Sequence, residues 1–151
     1  KKYKWFVMND FTCTDEEEEL LKFIRNRIKN LEEKYLEIYL LRNEEVYKIY
    51  DFDHGRGFEP DYLLFFKGKK DNLYYQLFIE PKGGQYSDKT GEFKDSQQGW
   101  KEEFLQKISD KYSDGNLLKD ENDKYKLIGL PFFNKKEGNK FEEVFNNHLF
   151  T

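Results

Sequence analysis

A single cysteine, Cys13, leaves no partner for an internal disulfide and no cysteine-rich zinc site. That scarcity fits a reducing, intracellular setting. Proline is rare as well, at 3 residues in 151, so each one marks a particular point of the backbone. No apolar run is long enough to span a bilayer, and no signal peptide is visible. The chain begins at Lys1 rather than Met, which reads as a piece excised from a longer protein. A dominant charge is missing too: 26 basic and 30 acidic residues are interspersed, for a net charge of −4. A free-standing nucleic-acid binder is usually strongly basic. Any phosphate contact here must rest on a local cluster, a metal ion or a neighbouring domain.

What the sequence has in quantity is aromatic residues. Fifteen Phe and 11 Tyr supply large burial per side chain, although only 37% of the residues are hydrophobic. Residues 1–151 therefore suit one domain around one core.

Residues 3–8 read as a short strand. Leu20, Leu21, Ile24, Ile28, Leu31 and Tyr35 recur at helical spacing after Thr14, and Thr14 with Glu17 fits a capping box. Residues 38–41 and 46–52 read as a hairpin turning at Arg42–Glu45. A second hairpin joins residues 61–68 to 73–80, both nearly continuous in apolar residues, which predicts burial on both faces by helices. Residues 83–99 read as a loop and 100–112 as an amphipathic helix. A polar connection, a strand near 125–133 and a last helix carrying Phe141, Val144, Phe145 and Leu149 follow. The expected fold class is α/β, a central mixed sheet flanked by helices.

Within the second hairpin, Asp61 opens the first strand and Glu80 closes the second, so the two are expected to be neighbours. Glu80 and Lys82 share a strand face because side chains alternate. Pro81, between them, cannot donate to a sheet ladder. Two facing carboxylates repel, and the natural complement is a hard divalent cation such as Mg²⁺, with Lys82 beside a metal-bound water or a phosphate. This is the residue set for metal-assisted phosphodiester hydrolysis. The plainer alternative is a Glu–Lys surface pair beside a Pro-Asp turn.

Phe58-Glu59-Pro60-Asp61-Tyr62-Leu63-Leu64 together with Leu77-Phe78-Ile79-Glu80-Pro81-Lys82-Gly83 resembles the C-terminal nuclease domain of type III restriction enzymes. That domain lies in the Res subunit, within the PD-(D/E)XK nuclease superfamily, and the resemblance extends from about Thr14 to Leu149. It implies a restriction-endonuclease-like core, with Asp61 and Glu80 as metal ligands, Lys82 as catalytic lysine and the Pro81 carbonyl completing the metal shell. A further ligand is implied among Glu16–Glu19. Glu17 is the choice that faces the sheet, and its capping-box role stands beside that reading. Mg²⁺, or Mn²⁺ in its place, is the implied cofactor. The implied partners are double-stranded DNA, a parent ATPase domain and a methyltransferase (Mod) subunit, in a bacterial cytoplasm. No phosphate-cradling P-loop or helicase motif occurs, so any ATP use belongs to that parent domain. A non-catalytic docking module of the same fold, and a repair-type nuclease, are the alternatives.

Other candidates have plainer explanations. Asp51, Asp53 and His54 suggest a second metal cluster but read more simply as a polar strand end. Lys67, Lys69 and Lys70 form a basic turn. Trp100 and the tyrosines suit stacking on bases, yet their spacing fits a core. Gln97 and Gln98 precede the helix after the Glu-x-Lys strand, and His148 lies beside an apolar helix face.

Overall fold

Thr14 sets where the longest helix begins: in extended conformation, it accepts from the backbone N–H of Glu17 at 3.3 Å through Oγ1. The structure, a computed structural model, describes residues 5–7, 14–44, 47–50, 54–69, 72–81, 96–113, 117–134 and 139–150. The elements are β1 (Phe6–Val7), α1 (Asp15–Lys34), β2 (Tyr35–Arg42), β3 (Ile49–Tyr50), β4 (Gly57–Phe58), β5 (Tyr62–Gly68), β6 (Leu73–Ile79), α2 (Ser96–Tyr112), β7 (Leu118–Asp120), β8 (Asp123–Gly129) and α3 (Asn139–Leu149). Acidic residues fill the first turn of α1 and Lys34 closes the last, each sign matching its end of the helix dipole.

A six-stranded mixed sheet runs in the order β1-β2-β5-β6-β8-β7. β2, β5 and β6 are successively antiparallel, whereas β1 lies parallel to β2 and β8 parallel to β6. Parallel pairing of β6 with β8 needs a crossover, which α2 supplies. One face packs against α1 and α3: Leu20, Ile24, Leu31, Phe141, Phe145 and Leu149 meet Leu40, Tyr62, Leu64, Phe66, Leu77 and Ile79. On the other face, Phe104, Leu105 and Ile108 of α2 meet Phe58, Leu63, Phe78 and Phe132. Burial from both sides explains why β5 and β6 read as almost unbroken apolar runs.

Gly129 fixes how close α2 sits. A Cβ there would fall inside the backbone of Leu105. Ser109 Oγ donates to the Gly129 carbonyl at 2.9 Å and accepts from its N–H at 2.8 Å. β7 pairs with β8 only as far as Tyr125, so the Ser109 hydroxyl serves the outer edge of β8 beyond that point.

Three expectations differ. The hairpin of residues 38–41 with 46–52 does not form: β2 pairs with β5, and β3 pairs with β4 in a separate two-stranded sheet. β5 offers seven residues with Tyr62, Leu63, Leu64 and Phe66 buried, whereas β3 is two residues long and leaves Tyr50 exposed. The longer apolar ladder removes more surface from water and takes the partner edge. The connection after α2 also contains a strand, β7, and the preceding helix starts at Ser96 rather than Trp100. No helix among the described residues is long and apolar enough to cross a membrane.

Candidate functional site

Cross-strand partners in β5 and β6 run from Lys67↔Tyr74 to Tyr62↔Ile79. Asp61 immediately precedes this ladder on one strand and Glu80 immediately follows it on the other. Asp61 shares a face with Leu63, and Glu80 shares one with Phe78; Leu63 and Phe78 both pack in the α2-side cluster. The two carboxylates therefore belong to the α2 layer at one end of the sheet. Their surroundings differ: Asp61 is exposed, while Glu80 is 3% exposed and its Oε2 has less than 1 Å² in contact with solvent.

The backbone at both positions is anchored. The Asn43 N–H donates to the Asp61 carbonyl at 2.8 Å, and its side-chain amide donates to the Pro60 carbonyl at 2.9 Å. Asn43 also exchanges two bonds with the backbone of Tyr47, so its side chain is a rigid clamp. On the other strand, the Phe133 N–H donates to the Glu80 carbonyl at 2.9 Å, and buried Pro81 makes a parallel bridge to Phe133. Glu102 of α2 steadies that segment, accepting from the Phe132 N–H at 3.1 Å and from Lys140 at 2.9 Å.

Glu17 reaches the same end of the sheet from the α1 side. Its Oε2 accepts from the Tyr62 hydroxyl at 2.6 Å and lies 3.7 Å from Arg42, with 12% of the side chain exposed. The carboxylate thus turns to the sheet, and only the Thr14 half of the capping box is present. Tyr62 opens β5 directly after Asp61, so Glu17 is held one residue along the chain from Asp61. Among the described residues no group of three or more His, Cys, Asp or Glu is arranged to hold a metal. Lys82 lies outside the described residues, as do Cys13, Asp51, Asp53 and Lys70, and the side chains of Gln97 and Gln98 are not described.

The remaining candidates find ordinary partners. His54 Nδ1 is 3.5 Å from the Arg56 guanidinium, Lys69 donates to the Glu33 carbonyl, and the Lys67 ammonium sits 5.7 Å from the Tyr74 ring centre. His148 is half-buried in α3, and Trp100 packs edge-on against Phe58. Sequence reasoning did not single out Asn43, Tyr62 or Arg42. Tyr62 carried a usable signal: a hydroxyl in a strand buried on both faces requires a hydrogen-bond partner.

The chain belongs to the HI_1054_C family, whose model, described as a C-terminal domain, matches residues 1–150. It is 41% identical over 146 residues to an uncharacterized protein of Haemophilus influenzae (strain ATCC 51907 / DSM 11121 / KW20 / Rd), covering 91% of this chain. The match takes in 30% of that relative's length. No solved structure matches the chain.

Proposed function

We propose that this member of the HI_1054_C family is a Mg²⁺-dependent DNA endonuclease domain with a restriction-endonuclease-like core. The observation that carries this reading is the register Tyr62↔Ile79, which brings the flanking Asp61 and Glu80 to the same end of two antiparallel strands. The six-stranded mixed sheet with helices on both faces supports it, since a central mixed sheet flanked by helices is the arrangement the resemblance implies. So does the donor set, because hard oxygen ligands of this kind suit Mg²⁺ or Mn²⁺.

Asp61 and Glu80 would hold the ion, joined by the Pro81 carbonyl. Bound there, it would supply Lewis-acid stabilisation of charge on phosphorus and a more acidic water. The protein's own part follows from the geometry. Glu80, enclosed and anchored through its carbonyl, is a fixed donor, and exposed Asp61 faces the side from which a phosphodiester approaches. Lys82, two residues after Glu80, would orient the attacking water, giving 5′-phosphate and 3′-hydroxyl ends. Glu17 acts from the α1 layer as a positioning residue, holding Tyr62 next to Asp61. The motif resemblance to the type III Res nuclease domain makes double-stranded DNA the substrate, and a parent ATPase and methyltransferase the partners.

The test is thermal melting and plasmid cleavage with Mg²⁺. At a hundredfold excess over Kd the ion stabilises the unaltered chain by about 2.7 kcal/mol. Glu80→Gln loses that gain, and Lys82→Ala loses cleavage. Cleavage by Lys82→Ala equal to that of the unaltered chain would rule the assignment out. Absence of both metal binding and cleavage would favour a docking module.

A further inference from the structure

Helix α2 covers only part of its face of the sheet. Leu63 and Phe78, near Asp61 and Glu80 in the chain, are buried against it. Further along β5 and β6 on the same face, one ladder row runs Tyr39–Phe65–Gln76. The next row runs Glu37–Lys67–Tyr74–Tyr125 across four strands. These two rows line an open cavity of about 260 Å³. On the opposite face Ile38, Leu40, Leu64, Phe66 and Leu77 are buried in the α1–α3 core, whereas Tyr39 is 47% exposed. The cavity lies just below the usual size of a ligand pocket, so it suits one small ring system.

Its walls are aromatic and its hydrogen-bonding groups few. Tyr39 stands on the β2 side. Tyr74 and Tyr125, stacked at 5.4 Å with 23° between their planes, stand on the β6 and β8 side. The Lys67 ammonium is 5.7 Å from the Tyr74 ring centre, and Glu37 is its partner across the ladder. A carboxylate beside the ammonium makes the cavity a poor seat for a phosphate. Glu37 accepts, Lys67 donates and the Gln76 amide does both. An aliphatic ligand would strip water from these groups and return no bond. A flat ring with donors and acceptors on its edge covers the aromatic side chains and bonds the polar ones. That is the chemistry of a nucleobase, whose faces stack on aromatic rings and whose adenine form matches a Gln amide with two bonds.

We propose that this cavity binds an unpaired nucleobase, adenine foremost, with Tyr39 stacked on the ring and Gln76 reading its edge. A free nucleoside and a single-stranded nucleic acid both carry that chemistry, and the experiment separates them. The proposal rests on the cavity and not on the nuclease reading.

The experiment is calorimetric titration of the 151-residue chain in EDTA with adenosine and with a short oligodeoxyadenylate. Binding of the oligonucleotide more tightly than adenosine marks a single strand as the ligand; binding no tighter marks a free nucleoside. Tyr39→Ala removes the stacking ring and weakens binding by about tenfold or more. Tyr39→Leu keeps apolar bulk without the ring, loses as much, and reports in its place if circular dichroism shows the alanine variant unfolded. Gln76→Ala lowers the preference for adenosine over uridine roughly tenfold. Tyr50→Ala, at an exposed ring of the separate β3–β4 sheet, leaves binding unchanged. The proposal is overturned if neither probe binds or if base-free ribose 5-phosphate binds as well as adenosine. It is equally overturned if the folded Tyr39 variants bind as the unaltered chain does, or if Tyr50→Ala loses as much as they do.

Discussion

The Tyr62 hydroxyl donates to Glu17 Oε2 at 2.6 Å, tying the start of α1 to the first residue of β5 across 45 positions of sequence. A hydrogen bond to a partly buried carboxylate contributes more than a neutral one, so Tyr62→Phe costs about 2 kcal/mol in urea unfolding. Glu17→Gln then does far less in the Tyr62→Phe background than in the unaltered chain. Strictly additive effects would mean that the two groups do not cooperate.

Asn43 clamps the entrance to β5 through Pro60 and Asp61. Asn43→Ala removes the side-chain bonds to Pro60 and Tyr47 and keeps the backbone bond to Asp61. The expected loss is about 1 kcal/mol of stability, with Mg²⁺ affinity falling by roughly tenfold as the position of Asp61 loosens. Calorimetric titration reads the affinity; an unchanged Kd beside lowered stability would make Asn43 purely structural.

Gly129→Ala is expected to be far more damaging than its single methyl suggests. The new carbon would meet the backbone of Leu105, which cannot rotate aside as a side chain can. A cost of about 3 kcal/mol or more follows, from separation of α2 and β8. Ser109→Ala, which leaves the Gly129 N–H and carbonyl short of their partner, costs about 2 kcal/mol. Chemical denaturation ranks the two, and the reverse order would contradict the close approach.

Tyr35 gives the alkaline limb of stability a specific source. Its hydroxyl donates to the Leu149 carbonyl at 2.8 Å, and burial, with Tyr75 adding, pushes the phenol up from its ordinary value of 10.0. The unfolded chain releases this proton first, so stability falls as pH rises above 10.0 toward the higher folded value, and is fully present below it. Tyr35→Phe flattens that fall and costs about 1 kcal/mol at neutral pH. Melting temperatures of both chains at pH 9 to 11 test the difference.

Elements whose residues obey a local rhythm were legible from sequence. The spacing of Leu20, Ile24 and Leu31 marks α1 because one face of that helix meets the sheet. The β5–β6 hairpin was legible for the same reason, and with it the position of Asp61 and Glu80 next to paired strand ends. Pairing that competes between distant strands was not legible. β2 had a plausible partner close by in β3, and only the greater burial available with β5 decides against it. β7 is three residues of mixed polarity whose strand character comes from lying beside β8, so no periodicity announces it. Asn43 and Arg42 resembled turn residues because their partners, Pro60 and Glu17, lie far along the chain.

The register of β5 on β6 separates two kinds of evolutionary freedom. The link between the strands, after Gly68 and before Leu73, lies at the end of the hairpin away from Asp61 and Glu80. Residues inserted there lengthen a loop at small entropic expense and leave Asp61 and Glu80 where they are. A single residue inserted within either strand would instead turn one carboxylate to the α1 face and dismantle the pair. Length variation is thus tolerated at one tip of the hairpin and forbidden along its rails.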